Sequence, residues 1–245
     1  GPRIMVRIEH DQCTISMDSS GAPLHRRGYR LASAKAPLRE DLARAVVRLS
    51  GWKGRTAFAD PFCGSGTLGI EAALWARGLA PGMGRSFAFE QWPGFEAELL
   101  EDVRSALKAQ AQAACAAPIW LSDRDRGAVQ ACADNAQRAG VLQDIDVQEA
   151  AMGRAGFLAE AAPAGVWVSN PPHGGRIGKK DRLRNLHQSL GSRFNALPDG
   201  WSLTLVVRDR RLAYVTGVKL GTHVMTEHGG SKIWVLGSGA EKVNE

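Results

Sequence analysis

The chain has 245 residues, 44% of them hydrophobic and 23% charged, the makeup of an ordinary globular protein with room for one large buried core. Its net charge of +6 gathers in His25-Arg26-Arg27-Gly28-Tyr29-Arg30, in Arg176 through Arg184 and in Arg208-Asp209-Arg210-Arg211, clusters that suit either a polyanionic partner or a solvated basic surface. No apolar run nears the roughly 18–20 residues that span a bilayer, and the start resembles no signal peptide, so no membrane contact and a cytoplasmic location are expected.

Gly1-Pro2 stands where an initiator methionine would, and is read as a tag-cleavage scar with residues expected upstream. From Ile4 to Met17 the alternation predicts strands, and Asp18-Ser19-Ser20-Gly21 predicts a turn. Leu38, Leu42, Ala45, Val46 and Leu49 fall at helical spacing, so a helix is expected over Leu38–Leu49, followed by a short strand over Thr56–Ala59. Helices then follow at Thr67–Arg77 and Ala128–Ala139, and strands at Pro118–Ser122, Ile145–Gln148, Val166–Ser169 and Ser202–Val207. The tail from Val218 to Gly237 reads as two strands joined around His228-Gly229-Gly230. Between Pro81 and Ala117 the pattern is less regular. Phe87, Phe89, Trp92 and Phe95 precede an Ala-rich helix, which reads as an insertion that either packs a loop or offers bases a stacking platform.

Strand–helix alternation predicts an α/β fold with a mostly parallel sheet covered by helices on both faces. Residues 1–35 are expected to form strands and a basic linker, and residues 36–245 the main domain. Four scattered cysteines, Cys13, Cys63, Cys115 and Cys132, and six histidines without ligand spacing predict neither a disulfide framework nor a metal site.

The strongest local signal is Asp60-Pro61-Phe62-Cys63-Gly64-Ser65-Gly66-Thr67-Leu68-Gly69. It follows a strand and opens a helix, so Gly64 and Gly66 let the backbone approach a ligand beside free N–H donors. A larger side chain at 66 is therefore expected to block the ligand without unfolding the chain. The glycine spacing also satisfies the dinucleotide pattern. Against that reading, Asp60 would repel a pyrophosphate yet pair with the ammonium of an amino-acid-like ligand such as S-adenosylmethionine. The ribose-binding acid is also hard to find at the dinucleotide distance: Glu90 falls in the aromatic insertion, whereas Asp123 closes a strand. Cys63 in such a loop reads as a small packing residue rather than a nucleophile.

A second signal, Ser169-Asn170-Pro171-Pro172-His173-Gly174, closes the strand Val166–Ser169. An exocyclic amine on a nucleobase is a poor nucleophile because its lone pair is delocalised into the ring. The Asn170 side-chain oxygen and the Pro171 carbonyl would each accept one N–H and aim that lone pair at a methyl donor. The prolines hold these acceptors preorganised, and no strong general base is needed.

With both loops, the chain resembles the THUMP-associated class I RNA methyltransferases, the large-subunit ribosomal RNA guanine-N2 methyltransferase family. Further matching stretches are Leu24–Arg30, Lys35-Ala36-Pro37-Leu38-Arg39-Glu40, Ser122–Asp125, Asp134-Asn135-Ala136 and Ala139-Gly140. The resemblance implies a seven-stranded, mostly parallel sheet with a reversed terminal hairpin and S-adenosylmethionine as cofactor. By the same resemblance Asp60, Phe62, Cys63, Gly64, Ser65 and Gly66 line the methionine end. Asp123 holds the ribose hydroxyls, Asp125 lies near the adenosine, Pro37 and Leu38 flank the cofactor, Asn170, Pro171 and Pro172 hold the target amine, and His173, in the place of an aromatic residue, stacks on the target base. Arg26, Arg27, Arg30 and Arg176 are expected to grip RNA, ribosomal RNA being the expected partner.

Three departures stand out. His173 replaces the family's aromatic residue, and neutral His173 is expected to be the active form, with activity declining as pH drops through about 6–7. Ala151 stands where the family has an acid near the adenine. The THUMP domain is expected to be absent apart from a remnant before Asp18, so a separate RNA-binding domain or partner is expected. The loop chemistry alone also fits an adenine-N6 or a protein-glutamine methyltransferase, and a non-catalytic RNA-binding module is the rival of another class.

Overall fold

A computed structural model describes residues 3–31, 38–160, 162–173 and 180–239. It opens with an antiparallel hairpin of β1 (Ile4–Glu9) and β2 (Gln12–Met17). Their two-residue turn is His10-Asp11, both at positive φ (47° and 58°), the mirror-image turn whose twist matches paired strands. The hairpin forms a sheet of its own, and Ile4, Ile8 and Ile15 are exposed. Asp18 Oδ1 then accepts from the N–H groups of Ser20 and Gly21 at 2.8 and 3.3 Å, which makes the turn expected there.

The main sheet has seven strands: β3 (Ala57–Asp60), β4 (Ile119–Asp123), β5 (Ile145–Glu149), β6 (Ala164–Ser169), β7 (Gly200–Val207), β8 (Gly221–His228) and β9 (Ser231–Gly237). Their order is β5-β4-β3-β6-β7-β9-β8. β3 to β7 pair in parallel, while β9 runs against both β7 and β8. The closing hairpin thus reverses only β9, and its turn at Gly229-Gly230 comes to the same edge as the carboxyl ends of the parallel strands.

Alternation along each strand feeds two cores. Phe58, Ile119, Leu121, Val166, Val168 and Val206 face one layer with α1 (Glu40–Leu49), α2 (Thr67–Ala76) and α4 (Arg126–Arg138), α3 (Ala97–Ala109) lying in the insertion. Ala57, Ala59, Trp167, Leu203, Leu205 and Val207 face the other layer with α5 (Phe157–Glu160), α6 (Lys180–Phe194) and α7 (Arg210–Tyr214). α6 was read from the sequence only as a basic cluster. Its partly or fully buried residues Leu183, Leu186, His187, Leu190 and Phe194 have helical spacing that charge had masked.

The basic linker packs onto this domain. Tyr29 is buried in the first core, and its hydroxyl donates to Glu71, a fully buried carboxylate on α2. Tyr29, from the segment expected to be a linker, is thus part of the first core. The insertion docks on the same linker: Arg85 donates to the carbonyls of Ser20, Ala22 and Pro23, and Phe89 N–H to that of Ser19.

Candidate active site

The sheet order reverses between β3 and β6, and ligands of open α/β sheets bind where the loops after such strands diverge. The glycine loop follows β3 and the Asn-Pro-Pro loop follows β6, so topology sets the two sequence signals side by side. A side-chain chain joins them. Trp167 Nε1–H donates to Ser169 Oγ (2.9 Å), and Ser169 Oγ–H donates to Asp60 Oδ1 (2.7 Å). The same Asp60 oxygen accepts the Phe62 N–H at 3.0 Å. Asp60 is fully buried, which pushes its carboxyl up to about 7 despite the bonds to Ser169 and Phe62. It is thus poised to ionise when a cation arrives.

Asp123 ends β4 and clamps the glycine loop: Oδ2 accepts the Gly64 N–H (3.1 Å) and Oδ1 the Asp125 N–H (3.0 Å). A carboxylate offers about four lone-pair sites, so each oxygen keeps one for a ligand hydroxyl. Asp125 is the N-cap of α4, its Oδ1 accepting from Gly127 (2.8 Å) and Ala128 (3.3 Å) N–H groups. That oxygen holds the helix start, a role the sequence reading missed although an Asp three residues before an apolar-periodic stretch signals one.

Gly66 has φ +85°, and a Cβ there would lie 2.4 Å from Cys132 Sγ on α4 and 3.2 Å from Ile70 Cδ1. The missing side chain would enter the core, not the ligand space. This corrects the expectation that a bulkier residue blocks the ligand in an intact fold. Gly69 acts similarly for helix–strand packing, since its Cβ would meet Leu121 at 2.4 Å. Cys63 is buried against Cys132; their hydrogen bond and burial both raise its pKa, which disfavours the reactive thiolate. Phe62 is half-buried against the second core. Leu38 has its side chain in the first core, and its carbonyl accepts from Arg30. Pro37 and Arg176 lie outside the described residues.

At the other loop Pro171 is buried and Pro172 exposed. Asn170 Oδ1 lies 2.7 Å from His173 Nε2. Burial above all, then Arg208, His187 and His228, push His173 down to about 4. The ring is therefore neutral through the physiological range, and the acidic limb expected near 6–7 moves down accordingly. His187, on α6, is buried, and burial lowers it to about 4 as well. Sequence spacing gave no hint of this grouping, because its members come from four separate elements.

Two of the arginines assigned to RNA are otherwise engaged. Arg30 pairs with buried Glu40 at 3.1 Å, and Arg27 lies 3.6 Å from Glu71, which also takes Arg44 at 2.8 Å. These pairs tie the linker to α1 and α2, and Arg26 is the exposed member of the three. The aromatic insertion is likewise self-occupied: Phe87 stacks on Phe89 (5.2 Å), Phe95 tilts against Phe89 (5.8 Å), and Arg85 lies over Phe87. Its two ends meet where Arg77, at the end of α2, bonds to Gln112, Gly140 and Asp144. That is the amino-terminal edge of the sheet, opposite the two loops. Among the described residues no acid–thiol–imidazole group suits a metal ion, and no helix is long and apolar enough to cross a membrane.

The strand order, the glycine loop and the acid closing the neighbouring strand define a class I methyltransferase fold. The chain belongs to the family described as RMKL-like, methyltransferase domain, whose model matches residues 27–230. It is 36% identical over 219 residues to ribosomal RNA large subunit methyltransferase K/L of Psychromonas ingrahamii, covering 88% of this chain and 29% of that protein. The namesake of Syntrophotalea carbinolica is 37% identical over 228 residues, 89% of this chain and 32% of its own. The chain thus spans about a third of the length of these curated relatives. Among solved structures it is similar to SMU.472 complexed with SAH (TM-score 0.85, 28% identity, 99% of this chain and 63% of that one). It is also similar to a Listeria monocytogenes protein described as a "predicted N6-adenine-specific DNA methylase" (TM-score 0.80, 31% identity, 95% and 60%).

Proposed function

We propose that this domain transfers a methyl group from S-adenosylmethionine to an exocyclic amine of an RNA base, guanine N2 of ribosomal RNA, in the cytoplasm. The observation that carries the reading is the join between the two loops, Asp60 to Ser169, one residue before Asn170. The residues suit the cofactor. Asp60 is a buried carboxyl at the loop's root, Asp123 keeps free lone pairs, and Ser65 Oγ and Ser122 Oγ are buried without a hydrogen-bond partner among the described residues. S-adenosylmethionine supplies a methyl group on a positively charged sulfur. Asp60 would pair with its ammonium and Asp123 would accept hydrogen bonds from its ribose hydroxyls. Asn170 Oδ1 and the Pro171 carbonyl would accept the two N–H groups of the target amine, which favours a pyramidal nitrogen and takes its lone pair out of conjugation with the ring. Ribosomal RNA as partner is supported by the activity named for the Psychromonas and Syntrophotalea relatives. Arg26 is the exposed arginine of the linker that would reach it.

One observation favours adenine N6 as a second reading, namely the description of the Listeria neighbour. Methylating ribosomal RNA with labelled cofactor and digesting it to nucleosides separates the two: N2-methylguanosine supports the first, N6-methyladenosine the second. Asn170→Ala should lower turnover by roughly 100-fold or more while cofactor affinity changes little. A parallel loss of both would make Asn170 a cofactor or folding residue. Calorimetry with the cofactor alone tests the non-catalytic alternative, which predicts weak binding or none.

A further inference from the structure

His173 stands where a benzene-type ring would offer only a face, and here it uses its edge. Its Nε2 lies 2.7 Å from Asn170 Oδ1. An amide oxygen carries no proton, so the imidazole is the donor, with its hydrogen on Nε2. The groups around it come from separate elements: His187 from α6, Arg208 from the end of β7 and His228 from the end of β8. All are cationic or able to become so, and among the described residues that act on its charge none is an anion that would draw a second proton onto the ring.

The hydrogen bond matters because of what an asparagine side chain is. Its oxygen and nitrogen ends have nearly the same shape, and a half-turn about χ2 exchanges an acceptor for two donors. With the nitrogen end forward, Asn170 would meet the N–H groups of a target amine donor to donor. Pro171 and Pro172 fix the backbone of this loop but place no limit on that half-turn. A donor held beside Oδ1 does, since the amide cannot flip without setting N–H against N–H at His173 unless the imidazole also moves its proton from Nε2 to Nδ1.

We propose that His173 is a positioning residue for Asn170: its Nε2–H locks the amide oxygen in place, leaving the second lone pair of that oxygen for the target amine. The inference rests on Asn170 acting on the amine, as in the function proposed above. It gives His173 a task different from stacking on the base, because a ring committed through its edge to Asn170 has its plane set by that bond.

The test compares His173→Phe, which keeps a ring and loses the donor, with His173→Gln, which restores an N–H on a flexible stem. Each is made alone and combined with Asn170→Ala in the full-length protein. Labelled methyl transfer to ribosomal RNA from a strain lacking the gene gives kcat and KM, and calorimetry gives the cofactor Kd. His173→Phe should lower kcat by about 10- to 100-fold, the range for loss of one preorganised bond, with KM and cofactor Kd within about twofold. His173→Gln should recover a large part of that loss. In the Asn170→Ala background, His173→Phe should cost less than about twofold more, since a positioning residue has nothing left to position. Losses that multiply in the double variant would overturn the inference while leaving the role of Asn170 intact. A raised KM at unchanged kcat in His173→Phe would also overturn it, in favour of base stacking. Full activity of Asn170→Ala alone would bring down the reading beneath it as well.

Discussion

Replacing Gly66 with alanine adds one carbon, and the surroundings dictate where it goes. The residue sits at φ +85°, where an L-residue costs roughly 1–2 kcal/mol, and the new Cβ would lie 2.4 Å from Cys132 Sγ. Sulfur and carbon cannot approach so closely, so α4 or the loop must shift, at roughly 1–3 kcal/mol for an overpacked core. Together these give about 2–5 kcal/mol, or a fall in Tm of roughly 5–20 °C in a domain of this size. Cys132→Ala removes the offending sulfur and leaves the strain at φ. A double-mutant cycle followed by thermal or urea unfolding should therefore show the two changes coupled by about 1–3 kcal/mol in the favourable direction. If Gly66→Ala melts like the parent and loses only cofactor affinity, the added carbon faces the ligand and the packing argument fails.

Three further outcomes follow from the site. Burial raises Asp60 from 3.8 to about 7, so its contribution to stability is complete below about pH 4 and is lost as pH rises through 7, by up to roughly 4 kcal/mol. Asp60→Asn should abolish that decline in urea melts, and calorimetry should show cofactor affinity climbing between pH 6 and 8 in the parent but flat in the variant. Arg30→Ala strands the Glu40 carboxylate, 3% exposed, and should cost at most roughly 3–5 kcal/mol without altering the salt dependence of RNA binding. Arg26→Ala should do the reverse, leaving Tm unchanged and reducing the log–log salt slope by up to about one; identical behaviour of the two variants would void the distinction.

Much of this protein follows from local pattern. Strand–helix alternation, the strand-end acids Asp60 and Asp123, and the two loops around Gly64 and Asn170 were all legible, because each depends on residue type within a few positions. The mostly parallel sheet was legible for the same reason, since alternating apolar strands and amphipathic helices leave few other ways to bury both faces; its count of seven strands was implied by the family resemblance. The linker arginines were legible as charges, and nothing in their sequence told a phosphate contact from an ion pair.

What the tertiary structure alone decided concerns partners distant along the chain. Glu40 and Glu71 lie well downstream of Arg30 and Arg27, and only the packing of the linker on α1 and α2 turns an RNA-like basic cluster into buried ion pairs. The glycine at 66 looked like space for a ligand until Cys132, from another helix, proved to fill that side. His173 read as a ring with a face, and the fold supplied Asn170 as the partner for its edge and drew Arg208, His187 and His228 around it. A sequence states which groups can donate, accept or carry charge. Which of them meet is set by the three-dimensional path of the backbone, and that path is fixed by the burial of apolar faces rather than by the polar residues whose roles it assigns.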